Sequence, residues 1–301
     1  MVQQRLPVSI AIPTYRREKV LLETLEYLLA MDIGASEIIL IDQTVEHETA
    51  TSEKLSEWNK AGRIRWIRRE QPSIPQAMNQ ALLSASEDIV LFLDDDVRPE
   101  ENLVAAHFSA HQNHADVLVA GRVIQPWEEG NDFSGDTHFH FAAHRPAWIK
   151  EFMGGNFSVR RDVALEIGGF DENFVRVAYR FEAEFAYRFL ASGRRIYFEP
   201  NACLHHLKES AGGTRTFGEH LTTWRPDHAV GAYYFALRTK SVGRWLMDFT
   251  SRPVRALLTR HHLFRPWWIP VTIISELRGM FWALKLSLHG PRYVEAEKNH
   301  D

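Results

Sequence analysis

IVLFLDDDVRP, residues 89 to 99, is the stretch that decides the fold. An uninterrupted apolar run such as Ile89–Leu93 predicts a strand that is buried on both faces, as in a parallel sheet. Three adjacent carboxylates repel one another unless a cation lies among them, and Mg²⁺ typically takes carboxylate oxygens as ligands. The stretch therefore predicts a cation site at Asp94, Asp95 and Asp96. The alternative is a solvated turn whose aspartates cap the following helix.

Strand and helix patterns alternate upstream of this stretch. Apolar runs predict strands, and apolar residues at helical spacing predict helices. The expected strands are Val8–Ile12, Glu37–Ile41 and Arg63–Ile67, and the expected helices are Glu18–Met31, Ala50–Ala61 and Pro75–Ala85. This order predicts an α/β fold with a mostly parallel central sheet and helices on both faces. Ligands bind beyond the carboxyl ends of such strands, so Thr14, Tyr15, Asp42 and the three aspartates should converge.

Downstream of Val97 the pattern is less regular. Helices are expected at Glu101–Gln112, Arg161–Ile167 and Tyr179–Ala191, and strands at Val117–Val123 and Ile196–His205. Residues 126–150 are irregular and rich in histidine and aromatic residues. Ser210–Gly218 is a Gly-rich loop in which Arg215 could close over a ligand as a lid does, or simply be a solvated charge. From Asp227 onward the chain is expected to be helical.

The charge is distributed unevenly along the 301 residues. The formal net charge is −4, which disfavours nucleic acid as a partner. Residues 238–292, however, contain ten Lys or Arg and two acids. Such a basic tail predicts contact with an anionic surface, for example lipid headgroups, or docking on the acidic remainder of the chain.

The tail segment Val271–Leu288 places Ile273, Leu277, Met280, Phe281, Leu284 and Leu288 on one helical face. This face could lie in a membrane interface, or it could pack on the domain or on a second subunit of a homo-oligomer. The first residues do not form a signal peptide, no apolar stretch is long enough to span a bilayer, and Cys203 is the single cysteine. We therefore expect a cytoplasmic protein. The alternative that we keep is a protein that contacts the inner face of the membrane peripherally.

Several motifs in order resemble one known family. They are SIAIPTYRR at residues 9–17, Asp42 after the second strand, FLDDDVRP, GGNFSVRRDVALEIGGFDENF at residues 154–174, and an acidic helix ending in Tyr187-Arg188. Over roughly Val8 to His206 the chain resembles a family 2 glycosyltransferase of the GT-A fold, the fold of nucleotide-diphospho-sugar transferases. The resemblance implies metal-dependent, inverting transfer of a sugar from a UDP-, GDP- or dTDP-sugar to a sugar, a lipid-linked sugar or another hydroxyl acceptor. It also implies a role in polysaccharide or glycolipid biosynthesis, with Mg²⁺ or Mn²⁺ as cofactor.

The resemblance also assigns roles to individual residues. The donor-binding residues it implies are Pro13, Thr14, Tyr15, Asp42 for the base, Asn79, Asp94 and Asp95. The metal ligands are Asp96, Asp94 and His206. Gly155 and Asn156 match the segment where sugar and acceptor meet, and Glu182 matches the catalytic base. From the residues themselves we add two predictions: Arg215 contacts the donor, and Trp148 stacks on the acceptor. Trp148 belongs to an aromatic cluster that could instead fill a core. The other members of this cluster are Trp127, Phe133, Phe139 and Phe141.

The chain departs from the family pattern at three positions. Phe181-Glu182 replaces the usual Glu-Asp, which makes Glu184 the fallback base, and Met78 replaces the Arg that often precedes the Asn. The Gln-x-x-Arg-Trp motif of processive synthases is absent, so we expect addition of single sugars. The Phe181-Glu182 departure keeps a second hypothesis open, namely a catalytically inactive relative that binds nucleotide sugars.

Two units are expected along the chain. Residues 1–226 would form the catalytic domain, with a nucleotide-binding half at 1–99 and an acceptor-binding half at 100–226. Residues 227–301 would form a helical extension. A dinucleotide-binding oxidoreductase is disfavoured, because PTYRRE rather than a Gly-rich turn follows the first strand.

Overall fold

The computed structural model of the chain describes residues 3–131, 133 and 138–294. Within them, nine strands form a single sheet. The strands are β1 (Gln4–Thr14), β2 (Ile33–Asp42), β3 (Arg65–Arg68), β4 (Ile89–Leu93), β5 (Val97–Pro99), β6 (Val117–Ile124), β7 (Ala147–Ile149), β8 (Asn156–Arg160) and β9 (Arg195–His206).

Ten α-helices accompany the sheet in the same described residues. They are α1 (Lys19–Ala30), α2 (Thr49–Lys60), α3 (Ile74–Ser84), α4 (Leu103–Asn113), α5 (Arg161–Glu166), α6 (Phe181–Ala191), α7 (Ala229–Thr239), α8 (Val242–Leu257), α9 (Arg260–Phe264) and α10 (Ile269–Leu288). Short 3₁₀ helices cover Gly213–Phe217 and Pro266–Trp268. The first of these lies inside the segment that the sequence predicts as a loop, Ser210–Gly218.

The sheet has the order β3-β2-β1-β4-β8-β6-β9-β5, and β7 pairs with β9. The pairs among β3, β2, β1 and β4 are all parallel, as predicted. In the other half only β6 and β9 are parallel, while β8, β5 and β7 run antiparallel to their neighbours. The expectation of a mostly parallel sheet thus holds for the first half, and the whole sheet is mixed.

The antiparallel strand β8 has a simple structural cause. Its first residue, Asn156, pairs with Leu93, the last residue of β4. The chain therefore enters β8 at the edge where β4 ends and must run back along it. This connection brings residues 154–155 next to the aspartates that follow β4.

The core lies on both faces of the sheet. Along β4, Leu91 and Leu93 belong to the cluster that α1, α2 and α4 cover, whereas Val90 and Phe92 belong to the cluster under α3, α5 and α6. This alternation follows from the two-residue period of a strand. The apolar run thus forms the middle of a three-layer α/β structure, as its composition predicts.

The C-terminal helices share this core. Tyr233 and Tyr234 of α7 are fully buried, in the same cluster as α6. Helix α10 packs on α7 through small residues: a Cβ atom at Gly279 would lie 2.6 Å from the Cβ of Ala229, and Ala283 is fully buried. The division at residue 227 stays a prediction, and residues 295–301 of the expected extension lie outside the described part of the chain.

The apolar face of α10 points away from the domain. Leu277, Phe281 and Leu288 are 44%, 69% and 84% exposed, whereas Ser275 and Glu276 are buried. Glu276 accepts a hydrogen bond from Tyr233 and pairs with Arg252, which holds the polar face inward. The helix therefore does pack on the domain, but with the face opposite to the one that its apolar residues predict.

Candidate active site

Two carboxylates and an imidazole meet at the carboxyl edge of the sheet. Asp94, Asp96 and His206 each offer one ligand atom, and these atoms lie within 4.8 Å of one another. His206 Nε2 is 3.2 Å from Asp96 Oδ1 and 3.9 Å from Asp94 Oδ2. The pairing of Val97 with His206 between β5 and β9 brings the imidazole to the aspartates. Carboxylate and imidazole ligands together suit a divalent cation such as Mn²⁺.

The orientation of His206 favours this use. Its Nδ1 is 3.1 Å from Gln125 Oε1, which can only accept a hydrogen bond. Gln125 thus binds the Nδ1 side of the ring, and Nε2 is the ring nitrogen that faces the two carboxylates. A partner on the second ring nitrogen is what usually fixes a metal-ligating histidine.

Asp95 faces in another direction. Its carboxylate accepts hydrogen bonds from Thr14 Oγ1 at 2.7 Å and Arg17 Nε at 3.1 Å. Burial raises the pKa of Asp95 to about 7, against the opposing effect of the Arg17 charge. Asp95 thus joins the end of β1 to the end of β4. Its carboxylate is not part of the cluster of ligand atoms formed by Asp94, Asp96 and His206.

Arg17 connects the aspartates to the segment that follows β9. Its guanidinium reaches Asp96 Oδ2 at 3.3 Å and donates to the carbonyls of Glu209 and Ala211. The backbone N–H of Glu209 donates to the same Asp96 oxygen at 2.9 Å. Burial alone would raise the pKa of Asp96, but His206, Arg17 and this N–H bring it below its usual value. Asp96 is therefore held as an anion.

A cavity of about 410 Å³, here called the strand-end cavity, opens beside these groups. Its walls include Pro13, Thr14 and Tyr15 from the end of β1 and Arg215 from the 3₁₀ helix. All three aspartates and His206 line it as well. The predicted convergence of the β1 and β4 ends is thus present, with the Gly-rich segment lying across it.

Asp42 is placed differently from its prediction. Its carboxylate is fully buried and accepts hydrogen bonds from Thr44 N, His47 Nε2 and Trp66 Nε1, each at 2.9 Å. Asp42 does not line the strand-end cavity, whereas its neighbour Gln43 does. In this structure the protein itself occupies the oxygens of Asp42, and its contact with a nucleotide base stays a prediction.

Asn79 also has a structural position. Its side-chain amide donates to Phe170 O at 2.9 Å and accepts from Phe170 N at 2.8 Å. A third bond joins it to Glu172 at 3.2 Å. Asn79 is 2% exposed and lines neither of the cavities beside the aspartates. Both ends of the amide hold the segment after α5, and contact of Asn79 with the donor stays a prediction.

Glu182 lies on the wall of a second cavity of about 480 Å³, here called the Glu182 cavity. Asp94 and His206 line both this cavity and the strand-end cavity, so the two are contiguous. Burial, with the charge of Asp94 nearby, raises the pKa of Glu182 to about 7. A carboxylate with such a pKa can accept a proton near neutral pH.

An unusual backbone precedes Glu182. Arg176, Ala178 and Arg180 have φ values of 62°, 53° and 73°, in the left-handed region that non-glycine residues rarely adopt. Helix α6 therefore begins at Phe181, two residues later than predicted, and Glu182 lies in its first turn. Each such residue costs about 1–3 kcal/mol, so the surrounding fold must hold this approach to Glu182 in place.

Glu184, the fallback base, lies in the core. It is 1% exposed, and its carboxylate accepts hydrogen bonds from Arg188 Nε at 2.8 Å and Nη2 at 2.9 Å. It lines neither cavity. The helical period turns Glu184 toward the core, whereas Glu182 faces the opening.

Gly155 and Asn156 have separate roles. A Cβ atom at Gly155 would lie 2.1 Å from Asp94 Oδ2, so only glycine lets the aspartate occupy its position. Asn156 is fully buried, donates to the carbonyls of Arg122 and Ala202, and has its Oδ1 2.9 Å from His107 Nε2. Gly155 lines the Glu182 cavity and Asn156 does not, and the contact of both residues with an acceptor stays a prediction.

Trp148 lies on β7, three residues before Glu151 of the Glu182 cavity wall, and is not itself part of the lining of either cavity. It pairs with Tyr197 near the start of β9, nine residues before His206, which is about 30 Å along an extended strand. The Arg195 guanidinium lies 3.4 Å from its ring centroid. Stacking of Trp148 on an acceptor stays a prediction.

The rest of the aromatic cluster divides between packing and the cavity wall. Phe141 lines the Glu182 cavity and packs with Phe139 on Phe198. Trp127 lies beside Lys208, whose Nζ is 4.7 Å from the ring centroid, and Phe133 stacks on His140. Residues 132 and 134–137 of the irregular 126–150 region lie outside the described part of the chain.

Sequence reasoning missed three residues that shape the site: Arg17, Gln125 and Gln43. Arg17 stands in the PTYRR motif that marks the end of β1, so its position beside the aspartates could have been proposed. Gln125 and Gln43 give no local signal, because each acts on a residue that is distant in the sequence: Gln125 on His206, and Gln43 on Ser73, whose N–H it accepts at 2.5 Å.

The fold and this site define a glycosyltransferase of the GT-A fold. Residues 9–175, more than half of the chain, match the model of glycosyl transferase family 2. The chain belongs to that family, and it is a transferase that uses a nucleotide-sugar donor.

Relatives with assigned names agree with this class. The chain is 25% identical over 219 residues to a glucosyl-dolichyl phosphate glucuronosyltransferase of Haloferax volcanii, a match that covers 67% of this chain and 69% of the relative. Over 118 residues, 38% of the chain and 30% of the relative, it is 30% identical to the uncharacterized glycosyltransferase YfnE of Bacillus subtilis.

Solved structures show the same fold at low identity. The mannosyltransferase PcManGT of Pyrobaculum calidifontis, in complex with GDP-Man and Mn²⁺, superimposes with a TM-score of 0.56 at 18% identity over 95% of this chain and 79% of that one. GalNAc-T7 with UDP, GalNAc and Mn²⁺ gives a TM-score of 0.59 at 14% identity over 93% of this chain. The chain spans only 54% of GalNAc-T7.

Proposed function

We propose that the protein transfers a hexosyl-type sugar from a nucleotide-diphosphate sugar to a hydroxyl of its acceptor, with a divalent metal and with inversion at the anomeric carbon. The observation that carries this proposal is the junction of the two cavities. There Asp94 and His206, two of the three candidate metal ligands, line the cavity that also presents Glu182, and Asp96 lies beside them in the strand-end cavity.

The residues present fit a divalent cation. Asp94, Asp96 and the Nε2 of His206 would hold Mg²⁺ or Mn²⁺, because their spacing allows one ion to contact all three and Gln125 holds the opposite side of the imidazole. When bound, such an ion offsets the negative charge of a departing diphosphate. Tyr15, Thr14 and Arg215 border the same cavity and are proposed to contact the donor.

Glu182 is proposed as the general base. It takes the proton of the acceptor hydroxyl as that oxygen bonds to the anomeric carbon. The bond from this carbon to the diphosphate breaks on the opposite side, and the nucleoside diphosphate leaves. Attack from one side and departure from the other invert the configuration. Glu182 gains the proton, which its pKa of about 7 permits at neutral pH.

A thermal-shift screen of UDP-, GDP- and dTDP-sugars, each with and without Mn²⁺, tests the donor half of the proposal. A donor present at about 100 times its Kd stabilises by about 2.7 kcal/mol, which is readily measured. We expect one donor to stabilise the protein only when Mn²⁺ is present. Stabilisation that does not depend on metal would refute metal-assisted donor binding.

The Glu182→Gln variant tests the base and the alternative of an inactive relative. Transfer or donor hydrolysis should fall in this variant by about 10²–10⁴-fold while donor binding stays intact. Glu151→Gln is the matched control, since Glu151 is another carboxylate on the wall of the Glu182 cavity. A wild type that binds donor without turnover with any acceptor would establish the inactive, sugar-nucleotide-binding alternative.

The acceptor is proposed to be a lipid-linked sugar, extended by one residue at a time. The Haloferax relative carries glucosyl-dolichyl phosphate in its name, and the sequence lacks the processive motif. A specific surface of this chain favours the same class. Along α8, Val242, Leu246, Val254 and Leu258 repeat every four or eight residues and are 65%, 48%, 54% and 79% exposed.

This α8 stripe continues into Leu263, Phe264 and Trp267, which are 75%, 75% and 66% exposed. Arg244, Arg260 and Arg265 accompany it and are also exposed. Exposed apolar side chains with basic neighbours suit the interface of an anionic bilayer. None of the described helices is long and apolar enough to cross a membrane, so the proposed contact is peripheral.

Vesicle co-sedimentation tests this contact. Wild-type protein should bind phosphatidylcholine vesicles that contain phosphatidylglycerol, and Leu246→Ser with Val254→Ser should bind at least about tenfold more weakly. Val45→Ser with Leu83→Ser is the control, because both are exposed apolar residues of the nucleotide-binding half. Equal binding by the two double variants would exclude the α8 stripe as the membrane contact.

A further inference from the structure

A third cavity, which we call the basic cavity, lies between the strand-end cavity and α10. Its volume is about 920 Å³, larger than either cavity described above. Tyr15, Arg176 and Phe217 line both it and the strand-end cavity, so the two adjoin. Neither the proposed donor contacts nor the proposed base explains this space.

The cavity carries an excess of positive charge. Arg16, Arg225, Arg278 and Lys285 line it, and none of them forms an ion pair with a carboxylate of residues 3–131, 133 or 138–294. A fifth cation, Arg176, is 3.7 Å from Asp227, the acid on the cavity wall. Cations that share one cavity repel one another, and a bound anion would relieve this repulsion. Arginine side chains also match the geometry of phosphate oxygens.

An apolar stripe leads out of the same cavity. On α10, Leu277, Phe281, Leu284 and Leu288 are spaced three to four residues apart and are 44%, 69%, 36% and 84% exposed. Phe281 belongs to the stripe and to the cavity wall. The basic cavity and the exposed apolar residues, here called the α10 stripe, therefore meet on one helix.

We propose that the basic cavity binds the phosphate group of an amphiphile, whose apolar chain lies along the α10 stripe. Arg278 and Lys285 contact the phosphate from α10, and Arg225 and Arg16 contact it from the opposite walls. Binding of an amphiphile here does not depend on the proposed function. Its identification as the lipid-linked acceptor does rest on that function. The same chemistry is also present in the phosphate headgroups of a bilayer, and the experiment separates the two sources.

Calorimetry with octyl phosphate, inorganic phosphate and octanol tests the site on the full chain. Octyl phosphate should bind wild-type protein at least about tenfold more tightly than either fragment, because only it fills both the charged and the apolar part. Arg278→Gln with Lys285→Gln should lower this affinity about tenfold or more. The control, Lys60→Gln with Arg63→Gln, removes the same charge at exposed positions outside the cavity and the α8 stripe and should change this affinity less than about twofold.

Three results would overturn the proposal: octanol binding as tightly as octyl phosphate, inorganic phosphate binding as tightly as octyl phosphate, or an equal loss of affinity in both double variants. The last would mean that only overall charge matters. Vesicles that contain phosphatidylglycerol identify the source of the phosphate. If the Arg278/Lys285 variant loses its affinity for octyl phosphate but still binds vesicles, the ligand is a single lipid phosphate. If it loses affinity for octyl phosphate and for vesicles to the same extent, the cavity binds bilayer headgroups.

The thermal shift with donor and Mn²⁺, measured on the same variants, keeps this proposal separate from the proposed function. A wild type without a metal-dependent donor shift would count against the transferase mechanism and leave octyl phosphate binding unaffected. A normal donor shift without octyl phosphate binding would count against the basic cavity alone.

Discussion

Replacing Glu182 with Gln should make the protein more stable at alkaline pH and abolish its activity. Burial raises the pKa of Glu182 from 4.5 to about 7. Each unit by which a pKa moves corresponds to about 1.4 kcal/mol, so the carboxylate form costs the folded state about 3 kcal/mol. Glutamine has nearly the same shape and carries no charge, and the variant avoids this cost.

The pH dependence of this effect has a definite sign. Between pH 4.5 and about 7 the folded state binds the proton of Glu182 more tightly than the unfolded state does, so stability falls as the pH rises through this window. The cost is complete above pH 7 and absent below pH 4.5. The gain from Glu182→Gln should therefore be below about 1 kcal/mol at pH 5 and reach about 3 kcal/mol at pH 8.

Urea unfolding of both proteins at pH 5 and pH 8, in the presence of a chelator, measures the difference. Glu184→Gln is the matched control on the same helix. It breaks a buried pair with Arg188 and should cost about 1–3 kcal/mol at both pH values. A Glu182→Gln variant that is less stable than wild type at pH 8, or whose gain does not depend on pH, would refute the desolvated-carboxylate argument.

The same carboxylate should set the pH dependence of transfer by the wild type. Activity should rise as the pH increases through about 7, because the base must be deprotonated before it can accept a proton. A rate that stays flat from pH 5.5 to 8.5, with chemistry as the limiting step, would argue against Glu182 as the base.

Three further substitutions test the site. Asp96→Asn should abolish the Mn²⁺-dependent donor shift in the thermal-shift assay, since it removes one charge from the candidate ligand set; an unchanged shift would contradict this. Gly155→Ala should weaken Mn²⁺ binding in calorimetry at least about tenfold, because the new Cβ would lie 2.1 Å from Asp94 Oδ2 and must displace it. Asn79→Ala should lower the free energy of unfolding by about 2–4 kcal/mol by leaving both backbone groups of Phe170 without their partners, with the KM for donor unchanged.

Much of the fold was predictable because it depends on local pattern. The apolar runs of β1, β2 and β4 require burial on both faces, and helical spacing between them requires layers above and below the sheet. Most of the observed strands are longer than predicted, because they extend by a few residues at one or both ends. The reversal of β8 was not predictable, because nothing in NFSVR indicates the direction in which it runs beside β4.

The candidate site divides in the same way. Asp42, Asn79 and Asn156 stand at the positions where the family resemblance implies ligand contacts, and in the structure each also bonds to a partner elsewhere in the chain: Trp66, Phe170 and Ala202. The partners are up to 91 residues away in the sequence. Residue type and position along a motif cannot disclose such partners.

By itself, the sequence determined where a buried strand ends in three carboxylates and which ordered motifs surround them, because hydrophobic pattern and local charge act over a few residues. Only the tertiary structure decided which groups meet there. It turned His206 toward Asp94 and Asp96 through Gln125, and it packed α10 by its small residues so that its apolar side remained outside. Those outcomes depend on the close packing of chain segments that are far apart in sequence, and neither segment encodes the contact alone.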